Sequence, residues 1–174
     1  MKKIVLFCFT LLLTASSAFS QQVAYSIDYA ADFSKFKTYR WVAVQNVGAI
    51  DSLTNEQIKA VVDAALAQKG LTKVDVDSAD LFIDYQTREL ITANVPTDPN
   101  DKQQEIYHGD LAIDMYTPAH HHLVWRGVAS KILDPKANPE KRQKNLNKAV
   151  AKLMKNYPPP KGEVITPRPC GSRS

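Results

Sequence analysis

The sequence predicts an α+β domain: a two-layer sandwich in which a largely antiparallel sheet carries two helices on one face, in the order β-β-α-β-β-β-α. Three observations lead there. Short segments alternate apolar and polar residues with the period of a half-buried strand, two longer segments repeat their apolar residues at helical spacing, and a break containing Pro118 joins two alternating runs as a hairpin loop would. A chain of 174 residues, 44% hydrophobic and 23% charged, has room for one such domain.

Residues 1–20 read as a signal peptide. Lys2 and Lys3 precede the apolar run from Ile4 to Leu13, and small residues end in Ala18-Phe19-Ser20, an A-x-S cleavage signal. Ten helical residues reach about 15 Å, half the apolar thickness of a bilayer, which excludes a spanning helix there. Cys8 lies inside the apolar run instead of just after it, so the lipidation signal is missing and no lipid anchor is expected. Cleavage would leave 20 basic against 18 acidic side chains, a net charge of +2, and a single thiol, Cys170. That chain can form no internal disulfide, and its near-neutral balance argues against nucleic-acid binding.

In the domain proper, residues 21–157, Val23, Tyr25, Ile27 and Tyr29 alternate with Ala24, Ser26 and Asp28, which predicts the first strand. The second runs from Thr38 to Val44, with Tyr39, Trp41 and Ala43 on one face. The turn between them holds Phe33 and Phe36 as aromatic plugs, and the two strands are expected to pair. The first helix starts at a capping box of Thr54 and Gln57, with Leu53 and Ile58 as its hydrophobic staple. It continues through Ile58, Val61, Val62, Ala65 and Leu66 and stops at Gly70. A third strand, Ala79 to Thr87, sets Leu81, Ile83 and Tyr85 against Asp80, Asp84 and Gln86. In the hairpin of residues 109–129, pairing 116 with 122 places Leu111, Ile113 and Met115 opposite Gly127, Trp125 and Leu123. The reverse face then carries Asp110, Asp114 and, diagonal to both, Arg126, an arrangement suited to structural charge pairing. The second helix takes Asn138 as N-cap and Pro139 at N1 and runs to Tyr157, with Leu146, Ala149, Val150, Leu153 and Tyr157 as its apolar stripe. Five prolines and no periodicity mark 158–174 as a disordered tail.

The search for chemistry excludes more than it finds. Six scattered glycines spell no dinucleotide or phosphate loop, and no serine sits in a nucleophile elbow. Asp75, Asp77 and Asp80 resemble an acidic calcium loop, yet the spacing finds Asp80 where glycine and Gln86 where glutamate belong. His120, His121 and His122 alternate faces, and His108 pairs at the far end of the hairpin, so no metal site is expected. No catalytic residue and no cofactor emerge. What stands out is charge: Lys141, Lys144, Lys148, Lys152 and Lys155 fall within an arc of about 80° on the second helix, opposite its apolar stripe. With Arg142 and Glu140 that helix holds +5, which leaves −3 for the rest of the mature chain. The lysine face is the candidate partner-binding surface, for an envelope protein or an anionic envelope surface. Two alternatives stay open. One is a small-ligand carrier or enzyme with its pocket under the segment 91–107, and the other is a structural subunit linked through Cys170.

The pieces Asp28-Tyr29, the run from Asp32 to Trp41 (DFSKFKTYRW), Ala79-Asp80-Leu81, the run from Gly109 to Asp114 (GDLAID), the run from Leu123 to Gly127 (LVWRG) and Tyr157-Pro158-Pro159 occur in that order. Together they resemble the Domain of Unknown Function 4136 family of bacterial envelope proteins, over most of the mature chain. Many members of that family are classed as lipoproteins, from which this chain departs by lacking the lipidation cysteine. The resemblance implies a periplasmic or cell-envelope location and the extent of the domain, and it brings no assigned activity. The expectation is an exported, non-enzymatic envelope protein.

Overall fold

The structure, a computed structural model, describes residues 21–42, 52–93, 104–119 and 121–160. Residues 1–20, expected to be a signal peptide, Ala43 and Val44 of the expected second strand, His120, the cysteines and residues 161–174 lie outside the described residues. The elements are β1 (Gln22–Ile27), a 3-10 turn (Phe33–Lys35), β2 (Thr38–Trp41), α1 (Ser52–Gln68), β3 (Thr72–Lys73), β4 (Leu81–Ala93), β5 (Glu105–Thr117), β6 (His122–Leu133) and α2 (Pro139–Met154). The six strands form one sheet in the order β1-β6-β5-β4-β2-β3. The α+β architecture is the expected one, with the two-residue β3 as an added strand.

The sheet is antiparallel from β1 to β4 and parallel from β4 through β2 to β3. That arrangement corrects the expected pairing of the first two strands: β1 pairs with β6, while β2 pairs with β4 and β3. Asp80 fixes the far placement of β2. Its carboxylate accepts from the backbone N–H of Lys37 (2.9 Å) and Thr38 (2.8 Å) and from the Thr38 hydroxyl (2.8 Å), while Thr38 Oγ1 accepts from the Asp80 N–H (3.0 Å). These bonds clamp the start of β2 to the start of β4 and hold the Asp80 carboxyl below the ordinary carboxylate range, the Lys37 amide first among the causes. The acidic residue considered for calcium is a strand clamp.

The β5–β6 register also differs from expectation, by two residues. Met115 pairs with Trp125, Ile113 with Gly127 and Leu111 with Ala129. The loop is one residue shorter than expected, since Thr117 pairs with His122, and a bulge between Met115 and Tyr116 leaves Val124 with no partner on β5, its carbonyl accepting from the Asp28 N–H instead (2.9 Å). His121 takes the tight turn at φ 47°. A shift of two preserves the side-chain faces from Trp125 onward, but the bulge exchanges the two residues before it: Val124, expected on the reverse face, is buried in the core, and Leu123, expected in the core, pairs with Tyr116 on the reverse face.

The core face and both helices share one core of Ile58, Val62 and Leu66 from α1, Leu81, Ile83 and Tyr85 from β4, Ile113 and Met115 from β5, Trp125 from β6, and Val150 and Leu153 from α2. Tyr157 joins it just past the helix, which ends at Met154 instead of continuing to Tyr157. The Tyr157 ring lies edge-on to Trp125 and Phe33, with centroids 5.7 and 5.8 Å apart. Gly127 makes room for the indole, because a Cβ there would come within 2.5 Å of the Trp125 ring. Helix α1 begins at Ser52, which puts Thr54 in its first turn and not at its cap. It ends as expected: Gly70 sits at φ 84°, its N–H donates to Ala67 O (3.0 Å), and the Leu71 N–H donates to Leu66 O (3.1 Å). At α2 the expected cap is present, Asn138 Oδ1 accepting from the Lys141 N–H at 2.8 Å.

Candidate functional site

Helix α2 buries Ala149, Val150, Leu153 and Met154 against the sheet, which turns its opposite side outward. Lys141, Lys144, Lys148, Lys152 and Lys155 are all exposed there, as the helical spacing requires. They are not equivalent. Lys141 pairs with Asp134 (2.7 Å) and Lys152 donates to Gln21 O (3.1 Å). Among the described residues, Lys144, Lys148 and Lys155 have no partner. Beside this row, a groove separates α2 from α1, with Val61, Ala65, Val150 and Met154 at its base, exposed Ala60, Ala64 and Ala151 along it, and Lys69, Lys152 and Lys155 at its border. Small residues on both helices open it.

The helix layer is sewn to the sheet by polar tips of core residues. Asp63 of α1 accepts from Tyr39 Oη and Trp41 Nε1 (both 2.7 Å) and from Lys73 Nζ (3.0 Å), which ties the helix to β2 and β3. Tyr85 donates to Asn55 (2.7 Å), and Tyr25 donates to the carbonyl of Lys152 (2.8 Å). Burial, with the Asp63 carboxylate close by, pushes the Tyr39 hydroxyl well above its ordinary range, so it acts as a donor only.

A second concavity, of about 500 Å3, lies on the helix side of the sheet where β4, β5 and β6 run past the first turns of α2. Leu111, Ala129 and Ala149 form its apolar floor, and Lys131, Arg142 and Asn145 face it. The Lys131 ammonium donates to Asn145 Oδ1 at 2.7 Å, and Arg142 donates to the carbonyl of Ala137 at 2.9 Å. Sequence reasoning passed over this place, although one signal was there. In the alternation Trp125, Gly127, Ala129, Lys131, Leu133, a lysine occupies a core-face position. Of the segment 91–107 under which a pocket was expected, Ile91 to Ala93 and Glu105 to Tyr107 are paired strand, and 94–103 lie outside the described residues. The cleft adjoins them, lined by Thr87 to Glu89 and Gly109 to Leu111.

Among the described residues, the reverse face of the sheet carries no helix. The register sets Asp84, Asp114, Arg126 and Ser26 in one row across four strands. Arg126 sits directly opposite Asp114 and grips it with two donors, and Tyr116 Oη adds a third at 3.2 Å. Asp114 is wholly buried while its partner is 38% exposed. Asp110, expected to share Arg126, is bound instead by Arg88 (2.6 and 3.0 Å). Asp84 is less well served: its Oδ1 is buried with no hydrogen-bond partner, and burial, then the charge of Asp114, pushes its carboxyl above the ordinary range.

The histidines go separate ways. His122 bonds Asp28 (2.9 Å) and draws that carboxyl below its usual range, His121 lies against Phe82 with ring centroids 6.2 Å apart, and His108 bonds Thr92 (3.0 Å). No cluster of three metal-capable side chains forms among the described residues, and none of their helices is long and apolar enough to cross a membrane.

These features define a class: a single mixed sheet with both helices on one face, an exposed cationic helix and a charged, uncovered rear. Residues 23–159 match the family model for a domain of unknown function, DUF4136, and the chain belongs to that family. Among solved structures, it resembles a PDZ domain protein from Parabacteroides distasonis, at 17% identity and a TM-score of 0.52, over 82% of this chain but only 36% of that one. It also resembles the PelC dodecamer from Paraburkholderia phytofirmans, at 9% identity and a TM-score of 0.51, over 78% of this chain and 95% of that one. Both likenesses concern the fold. No curated protein matches the chain by sequence.

Proposed function

We propose that the protein is an exported, non-catalytic component of the bacterial cell envelope that binds an acidic partner through the outer face of α2. Membership of DUF4136 and the leader-like residues 1–20 support the location. The observation that carries the binding role is the exposed row of lysines, three of them without a partner among the described residues, on a helix that gathers +5 in a chain otherwise acidic. Unpaired cations of one sign on one face raise the local concentration of anions and steer their approach.

The test is co-sedimentation with envelope fractions across a salt series. Binding is expected to fall steeply as the screening length shrinks from about 10 Å at 0.1 M salt to about 3 Å at 1 M. The combined change Lys144→Glu, Lys148→Glu, Lys155→Glu is expected to abolish it while leaving the fold intact, since among the described residues none of the three side chains has a hydrogen-bond or ion-pair partner to lose. Association that persists at 1 M salt, or in the triple variant, refutes the reading.

A further inference from the structure

The cleft between the sheet and the first turns of α2 joins two features that ordinarily compensate one another elsewhere in this protein. Its floor is apolar, built by Leu111, Ala129 and Ala149. Its cations, Lys131 and Arg142, are bound only to neutral groups, the amide oxygen of Asn145 and the carbonyls of Ala137 and Pro135. The acids nearby are engaged, Asp110 with Arg88 and Asp134 with Lys141, which leaves Glu89 on the rim. Among the described residues, no carboxylate reaches Lys131, although that lysine is partly buried on a core-facing strand position. A cation drawn from water gains most from an anion placed beside it. At about 500 Å3 the space falls within the range of small-molecule clefts, about 300–1,000 Å3.

We propose that this cleft binds an amphiphile with a single anionic head group, the head at Lys131 and Arg142 and the hydrocarbon body over Leu111 and Ala149. The floor supplies affinity through apolar burial, and the two cations supply orientation and select the sign of the head. Asn145 holds the Lys131 ammonium toward the cleft and is a positioning residue. The site uses none of Lys144, Lys148 and Lys155, whose exposed row carries the function proposed above, so the two can be tested separately.

The experiment is a titration of the purified protein, followed by NMR, with decanoate and with decyl phosphate, and with decanol and decylamine as neutral and cationic counterparts. One or both anionic probes are expected to shift resonances of Leu111, Ala129, Lys131 and Asn145 saturably, with Kd of about 1 mM or tighter. Which of them binds more tightly tells a carboxylate-headed ligand from a phosphate-headed one. Lys131→Met, which keeps the stem and removes the charge, is expected to weaken the preferred anion about tenfold, the worth of one charge-assisted hydrogen bond. Arg142→Gln is expected to act in the same direction, and the triple lysine-to-glutamate variant on the outer face is expected to bind as the wild type does. Equal affinity for decanol, absence of saturable shifts with both anions, or unchanged affinity in Lys131→Met would overturn the proposal. Should Arg142→Gln loosen the turn it braces, Lys131→Met decides alone.

Discussion

The two faces of the sheet solve opposite problems with the same strands. On the helix-covered face the middle of the sheet is apolar, and the polar atoms of Tyr25, Tyr39, Trp41 and Tyr85 reach the margins, where each finds an acceptor on or just beside its helix. On the uncovered face the charges sit in the middle: Asp114 is buried beneath its own partner, Arg126, and Asp84 lies next to it with an unanswered oxygen. The lesson concerns strategy. A covered face can rely on packing, whereas an uncovered one shields its hydrogen-bonded centre with its own long side chains; each leaves one buried polar atom without a partner, the Tyr157 hydroxyl in the covered core and Asp84 Oδ1 on the open face, where the atom carries charge.

Three changes probe that contrast. Removing the indole in Trp125→Ala strikes the covered face where the ring is wholly buried and Gly127 is shaped around it, and is expected to cost about 3–5 kcal/mol in denaturant unfolding. Next in size, Arg126→Met leaves Asp114 buried and uncompensated. The expected loss is about 2–3 kcal/mol, less than for a fully buried pair because the guanidinium is part-exposed and solvent already screens it. If Arg126→Met proves neutral, the central charges on the open face are ornamental to stability and the contrast fails.

The smallest effect has the opposite sign. Burial raises the folded-state Asp84 carboxyl above its unfolded value, so the folded protein binds that proton more tightly than the unfolded chain does. Asp84's own contribution is therefore lost as pH rises through the carboxylate range, from about 4 upward to the raised folded value. Asp84→Asn is expected to be more stable at neutral pH by about 1 kcal/mol, with the advantage gone below about pH 4. Thermal unfolding at pH 3.5 and 7 measures it, and a gain of equal size at both pH values would point to packing instead of charge.

Local patterns were legible where they concern one element at a time. The stripe of α2, its Asn138 cap, the Gly70 stop and the inward faces of β4, β5 and β6 all follow from periodicity and cap chemistry, and the lysine row is exposed because its residues oppose that stripe. The outer ends of the β4–β5 hairpin were harder to see. From Thr87 onward Arg88, Glu89 and Leu90 do not alternate in burial, because that stretch runs beyond most of the covered core. The cleft at Lys131 was half legible: the alternation flags the lysine, but the partners that leave it without a carboxylate come from α2 and the turn before it.

What the sequence determined alone is the inventory: which segments are helix or strand, which side of each is apolar, and which helix bears the positive charge. Those are short-range properties, set by side-chain period and backbone propensity. Only the tertiary structure decided that β1 lies beside β6 and β2 beside β4, that Arg126 serves Asp114 while Arg88 serves Asp110, and that one Asp84 oxygen is buried without a hydrogen bond. Each of those facts depends on one residue of loop length, one bulge or one clamp such as Asp80. Such small local choices move whole strands relative to one another, yet a shift of two keeps the alternation of faces and only the bulge swaps Leu123 for Val124, so the pattern within a strand cannot reveal which register was taken.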